Sequence, residues 1–519
     1  MKMSLAACVW ISLLSFAALA QTAAGSGFRS LHVDASKVDG EIRSFQGLNG
    51  PPNPIMAGLP TLVKQYRGLH VVQIRTHDVM GPTDIDAHFE LTDPLLAWLI
   101  PDDAQRAGVV TAGNAGIIFP DWHADPEKPQ SYNFGPSDKV IAAIKASGAE
   151  VYYRIGRSWG AQIEPPPDFD KYADVVKHIA MHYNQGWANG FHDNIRYWEF
   201  WNEPEALFWG GTPEQFYSLY EKTARALKSV DPALKVGGDA IAFAYNPGPY
   251  REGFMDYCVA HKVALDFYSW HTYADGSADP YDAVRISQNI REILDARGLT
   301  KTESVLSEWN LTPDFTEAAK ARLRGTENAA FIGAALTYFQ DAPLDHAQLY
   351  RGDAAWMGLF DLNSRPFKTA YTFEAMGEML STPQRLAAQG ADTFGFAVLA
   401  GRSADGNTVQ ILISNYEIPK QMHPMKIPAE VSKVLPPLDF SKLKFLPRRT
   451  DIVYRDNAGY NLTIDNLPWG KNAFRVRRYR IDGTHNFEPV EEKSGDGGRL
   501  ELSNALAPDS VELIVLQKR

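Results

Sequence analysis

Two glutamates stand out by where they fall. Glu203 lies in Trp198-Glu199-Phe200-Trp201-Asn202-Glu203-Pro204-Glu205, where an aromatic strand pattern breaks at a proline. Glu308 lies in Val305-Leu306-Ser307-Glu308-Trp309-Asn310, straight after an apolar run. A carboxylate there is costly to bury without partners, so at a strand's end it is expected to face a pocket. Side chains alternate along a strand, so Glu199, Glu203 and Glu205 cannot all point one way. Glu199 and Glu205 read as structural or subsite residues. Asn202 beside Glu203 can hydrogen-bond a sugar hydroxyl while the carboxyl reaches a glycosidic oxygen. Two such carboxylates suffice for glycoside hydrolysis. One protonates the leaving oxygen and the other attacks the anomeric carbon, and a separation of about 5–5.5 Å gives retention of configuration. An ionised Glu308 is expected to raise the pKa of Glu203 by like-charge repulsion and keep it protonated as the acid.

The elements that position them alternate strand with helix from about 44 to about 382. Eight short runs read as strands: 44–48, 71–76, 151–155, 197–201, 234–237, 266–271, 304–308 and 347–350. Runs such as Val-Tyr-Tyr-Arg-Ile are apolar at nearly every residue, as strands buried on both faces are. Helical patterns at 136–146, 213–230 and 281–295 lie between them. Eight such units imply a (β/α)8 barrel, over residues 41–383, with its site at the C-terminal ends of the strands. A doubly wound sheet is the alternative, but no Gly-x-Gly-x-x-Gly comes after the first strand. Residues 80–131 break the rhythm. This long excursion holds many Pro, Asp and Gly, and is expected to rise over the barrel's catalytic face. From 384 to 519 short alternating strands (394–399, 408–414, 473–479, 511–516) predict an antiparallel β-sandwich, with 27–40 adding a strand and 428–448 an irregular loop.

Bulk properties narrow the partners. The 519 residues carry 62 acidic and 51 basic side chains, a formal charge of -11, which argues against nucleic acid or an anionic membrane surface. Aromatics at 12% suit sugar platforms as well as ordinary packing. Lys2, the apolar stretch 5–17 and Ala18-Leu19-Ala20 read as a signal peptide covering 1–20, hence a bacterial-type exported protein, periplasmic or secreted, with no later membrane segment. Cys8 lies inside that segment, so only Cys258 remains and no intrachain disulfide can form.

The pair Trp-Asn-Glu-Pro on the fourth strand and Ser-Glu-Trp-Asn on the seventh resembles the clan of retaining hydrolases with catalytic glutamates at those two strand ends. Within it the chain resembles glycoside hydrolase family 39, the β-xylosidase and α-L-iduronidase family. Ile74-Arg75-Thr76-His77-Asp78 is similar to the family's strand-two Arg-x-His motif. Tyr132-Asn133-Phe134 matches its layout before strand three, and Asp266-Phe267-Tyr268-Ser269-Trp270-His271-Thr272-Tyr273 its strand-six His-x-Tyr motif. The resemblance covers about 40–385, and the trailing sandwich is also like the family. It implies Glu203 as acid/base, Glu308 as nucleophile, and His77, Asn202, His271 and Tyr273 as sugar contacts. The chain departs from the family where glycine usually comes after the strand-two histidine and Asp78 stands here. Trp309 replaces the phenylalanine next to the nucleophile in β-xylosidases, and the acidic run around the nucleophile is not that of the iduronidase branch.

Asn310, Trp159 after the third strand and Trp356 after the eighth are further candidate sugar contacts. His178 and His182, four apart on a helix, have metal-pair spacing, but no acid joins them at ligand spacing and they read as ordinary helix-face histidines. The expectation is therefore an exo-acting, β-xylosidase-like retaining hydrolase of oligosaccharides, needing no metal or other cofactor. An endo-acting hydrolase of a bacterial exopolysaccharide and a non-catalytic carbohydrate-binding barrel are the alternatives.

Overall fold

The computed structural model describes residues 27–53, 60–85, 87–93, 96, 97, 100, 102–157, 163–206, 208–274, 276–314, 316–421, 444 and 446–519. The signal-peptide segment, Trp159 and nearly all of the expected 428–448 loop lie outside them. Eight parallel strands close the barrel in chain order: β2 (Gly47–Asn49), β3 (Gln73–Arg75), β4 (Glu150–Ile155), β5 (Tyr197–Phe200), β6 (Lys235–Ile241), β7 (Phe267–Tyr273), β8 (Glu303–Asn310) and β9 (His346–Leu349). All eight expected strands are present. Both faces are covered, which is why the runs read as continuously apolar: Trp198, Phe200, Val236, Tyr268 and Leu306 are fully buried in one core.

The helices between them end where local chemistry dictates. Helix Pro213–Val230 opens on a reciprocal Thr212–Gln215 capping box with Pro213 at its first position. Helix Phe169–Gln185 is capped by the Asp168 carboxylate and stops at Gly186, whose φ of +76° suits glycine.

The excursion departs from expectation. It contains a 14-residue helix, Asp103–Gly116, capped by Asp102, and carries a small core of its own around Met80, Phe89, Val109 and Ile117. Its Gly and Asp content masked that helix. Ile85 pairs with Phe119 in an isolated bridge, and the Ile85 N–H donates to Gly156 O at the end of β4, so the excursion packs at the barrel's C-terminal rim.

The remaining strands form one nine-stranded sheet. These are β1 (Phe28–Glu41), β10 (Gln384–Gln389), β11 (Phe396–Arg402), β12 (Thr408–Asn415), β13 (Gly459–Asp465), β14 (Phe474–Ile481), β15 (Asn486–Gly495), β16 (Leu500–Ala505) and β17 (Ser510–Lys518). Their order is β15-β14-β17-β12-β11-β10-β1-β13-β16. Val33, Ile411, Leu462 and Val476, from strands spread across the sheet, share one core, so the sheet folds over itself as a sandwich. The pairing is antiparallel as expected except between β1 and β13, which run parallel. The alternate residues of β11, β12 and β17 (Leu399, Leu412, Leu513) pack into the barrel core, so the two units share a buried apolar face. No helix among the described residues is long and apolar enough to cross a membrane.

Candidate active site

The chain leaves β5 on a strained path. Trp201 has φ +67° and Glu203 φ +44°, a region that non-glycine residues rarely adopt. Neighbouring strands hold it there: Trp201 N–H donates to Ile155 O at 2.9 Å, and Glu203 N–H to Ala240 O at 3.0 Å. On β8 an irregularity in the pairing with β7 does equivalent work. Trp270 pairs with Leu306 but His271 pairs with Glu308, so Ser307 is the extra residue. A one-residue bulge re-aims the side chains beyond it, and here it sets Glu308 beside His271.

His271 lies between the two acids. Its Nδ1 lies 2.8 Å from Glu203 Oε1 and 3.6 Å from Glu308 Oε2. One atom from each of the three residues lies within 4.8 Å of the other two. Tyr273 OH, two residues further along β7, donates to Glu308 Oε2 at 2.8 Å. On the opposite side His77 Nε2 lies 3.3 Å from Glu308 Oε1 and 3.2 Å from Asp78 Oδ1.

Beneath these groups Arg75 crosses the barrel interior, wholly buried. Its Nε donates to Glu199 Oε2 at 2.5 Å and its Nη1 to Glu308 Oε1 at 2.7 Å and Asn49 Oδ1 at 3.0 Å. Its Nη2 donates to Asn202 Oδ1 at 2.8 Å. Oxygen acceptors on every side are what a buried guanidinium needs. Asn202 is thereby held with its amide fixed, and Glu199 is completed by Tyr152 OH at 3.2 Å.

Burial dominates the protonation of the pair. It pushes Glu203 up to about 7, against the pull of Arg75 and with a further push from Asp78. The cause expected from sequence, repulsion by Glu308, is therefore replaced by desolvation. Glu308 is raised as well, again by burial first, while His271 and Arg75 hold it down and Glu203 pushes it up. Desolvation lowers His271 to about 4, so the ring is neutral near pH 7. With a hydrogen-bonding arginine and tyrosine on one acid, and the other buried, the arrangement suits one ionised and one protonated carboxyl.

The other expected site residues divide. His271 lies against both glutamates, His77 and Tyr273 reach Glu308, and Asn202 is linked to Glu308 through Arg75. Asn310 does not reach them. Its Nδ2 donates to Tyr350 O at 2.7 Å and its Oδ1 accepts from Leu311 N and Asn328 Nδ2, so the side chain is committed to the barrel wall. Trp356 has Lys320 Nζ over its ring at 4.3 Å, which covers one face. Trp159 is outside the described residues. His178 and His182 are structural: His178 Nδ1 bonds Asp174 O, and His182 bonds Trp187 O and Asp138 while its ring stacks on Phe134. Sequence reasoning misses Arg75, although an arginine inside the buried run Gln-Ile-Arg must have acidic partners. It also misses the roles of Asp78, Tyr350 and Arg351. Asp78 Oδ2 accepts from Tyr350 OH and from Arg351 Nη1 at 2.9 Å.

A closed eight-stranded parallel barrel with two glutamates at the ends of its fourth and seventh strands defines a class of carbohydrate-active folds. The sequence profile of glycosyl hydrolases family 39 matches residues 141–322. The beta-xylosidase of Geobacillus stearothermophilus is 30% identical over 173 residues, covering 30% of this chain and 33% of that enzyme, so the match spans a third of the curated relative's length. A solved glucosidase from Croceicoccus marinus is 35% identical, with a TM-score of 0.81, covering 95% of this chain and 99% of that one. A monomeric beta-xylosidase from Caulobacter crescentus CB15 shares the fold at a TM-score of 0.64 and 17% identity, over 94% of this chain and 99% of that one. The chain belongs to glycosyl hydrolases family 39.

Proposed function

We propose that the protein is an exo-acting, retaining O-glycosidase that releases a terminal neutral sugar, a β-xyloside or β-glucoside, from an oligosaccharide. Glu203 is the acid/base and Glu308 the nucleophile. The single observation that carries this reading is the close approach of the two carboxyls around His271 Nδ1, with one oxygen of each within 4.8 Å of the other, which favours a double displacement.

Glu308 attacks the anomeric carbon as Glu203 gives its proton to the glycosidic oxygen, and the aglycone leaves. A water then enters, Glu203 takes its proton, and the glycosyl ester on Glu308 is hydrolysed with net retention. Neutral His271 keeps the Glu203 carboxyl aimed, and Tyr273 and Arg75 hold the Glu308 carboxylate. The side chains of Glu308 and Glu203 are only 5% and 18% accessible, which favours a narrow mouth and the end of a chain over an open groove. Xyloside is favoured by the named activity of the curated relative, glucoside by that of the glucosidase similar over nearly the whole chain. The N-terminal segment 1–20 supports export to the periplasm or beyond.

Hydrolysis of aryl β-xyloside, β-glucoside, β-galactoside, α-arabinoside and α-iduronide, with Glu308→Ala as control, tests the reading. One dominant activity on a neutral sugar, lost in the variant, is expected. No activity on any aryl glycoside would overturn exo action on these sugars.

A further inference from the structure

The wall beside the nucleophile carries a third acid that the double displacement does not use. Asp78 is buried, in a left-handed backbone conformation with φ +55°. Its Oδ2 is held by Tyr350 OH and Arg351 Nη1, and its Oδ1 lies 3.2 Å from His77 Nε2. Arg351 is in turn clamped by Asp353, Nε to Oδ1 at 2.7 Å and Nη2 to Oδ2 at 2.6 Å. Every nitrogen of that guanidinium thus faces a carboxyl of Asp78 or Asp353, so its charge is balanced within the wall.

The same acid fixes a tautomer. His77 Nε2 faces two carboxyl oxygens, one of Asp78 and one of Glu308, at 3.2 and 3.3 Å. Desolvation keeps this ring neutral, holding its pKa well below the usual histidine range. A neutral ring between two acceptors places its one proton on Nε2, which leaves Nδ1 a bare acceptor. His77 Nδ1 is buried and has no hydrogen-bond partner among the described residues. A sugar hydroxyl satisfies such an atom, and a carboxylate cannot.

Charge points the same way. Around the nucleophile stand the carboxyls of Glu199, Glu308, Asp78 and Asp353 against the guanidiniums of Arg75 and Arg351, an excess of acid before Glu203 is counted. The nearby Arg154–Asp84 pair adds one charge of each sign.

We propose that Asp78 is a specificity-determining residue of the sugar pocket: with Arg351 neutralised and His77 fixed as a hydroxyl acceptor, it admits neutral sugars and excludes uronic acids. This rests on the glycosidase reading and names the residue that would set its preference for neutral sugars. Asp78 acts on the substrate through His77 and through its own field.

The test compares D-glucose with D-glucuronate, which differ only in oxidation at C6, as ligands in saturation-transfer titrations that require no turnover. The proteins are wild type, Asp78→Asn and Asp78→Gly. Asparagine and glycine both tolerate the left-handed backbone at this position, so the fold is retained. The wild type is expected to bind glucose at least about tenfold more tightly than glucuronate. Both variants are expected to narrow that ratio by about tenfold, Asp78→Asn because it removes the charge at constant shape. A ratio unchanged in the variants, with both sugars weakened alike, would show a purely structural role and overturn the proposal. So would a wild type that binds glucuronate as well as glucose. A wild type that binds glucose but hydrolyses no glycoside would instead remove the glycosidase reading, and the ratio would still decide the role of Asp78.

Discussion

Arg75 reaches across the barrel from the second strand to donate from Nη1 to Glu308 Oε1 at 2.7 Å. The same guanidinium holds Glu199, Asn202 and Asn49, so Glu308, the asparagine beside Glu203 and the floor of the barrel share one cation. Arg75→Met leaves Glu199 and Glu308 buried without their counter-charge. The expected loss is about 3–5 kcal/mol of stability, read by urea unfolding. Adding Glu199→Gln is expected to recover part of that stability without restoring turnover, because Glu308 stays uncompensated. Equal stability of Arg75→Met and wild type would contradict the role given to this residue.

The two glutamates separate by leaving group. Glu308→Ala removes the nucleophile and is expected to lower kcat by at least about 10^4 on every substrate. Glu203→Ala removes proton donation, worth roughly 10^2–10^4 where the leaving group needs the proton. On an aryl glycoside with an acidic phenol the first step is expected to be nearly spared, and on an alkyl glycoside it is expected to collapse. The pre-steady-state rates of the two substrates give the contrast, and equal losses would remove Glu203 from the acid role.

The pH dependence is set by burial. Glu203 must be protonated and is held at about 7, so kcat/KM is expected to fall as pH rises through about 7. Glu308 must be ionised, and because burial raises it, the acid limb is expected to lie above the ordinary glutamate range of about 4.3. Glu203→Gln removes the basic limb from whatever activity remains. A basic limb that persists unchanged in that variant would assign it to another group.

Stability moves with the same groups. Glu203 at about 7 and Glu205 at about 8 both have folded-state values raised above the unfolded ones. Their contribution is therefore full below the unfolded pKa of about 4.3 and is lost as pH rises through about 7 and about 8. Glu205 Oε1 accepts from Phe243 N–H at 2.9 Å, a bond that glutamine can keep. Glu205→Gln is expected to be more stable than wild type at pH 8, by on the order of 3 kcal/mol, and to show little gain at pH 4.5. The difference in unfolding midpoints at the two pH values measures it.

The barrel was legible because its signal is periodic. Apolar runs alternate with capped helical patterns, and each expected strand falls within a few residues of an observed one. Glu203 and Glu308 were legible because a charge after such a run has one sensible place to be. Arg75, Asp78 and Arg351 were not, because what makes them part of the site is pairing across strands more than 100 residues apart, which spacing does not encode. Asn310 shows the converse: it sits two residues beyond Glu308, yet its amide is taken up by Tyr350 and Asn328. The helix at 103–116 was hidden by three glycines, and the strand 500–505 by its exposed, polar outer face.

The configuration of the first-formed product tests the double displacement most directly. Proton NMR of the sugar released from the best aryl β-glycoside, recorded within the first turnovers and before mutarotation, reports its anomer. The β-anomer is predicted, because the double displacement through Glu308 inverts the anomeric carbon twice. An α-anomer formed first would mean inversion, with a water between the two acids, and would contradict Glu308 as a nucleophile.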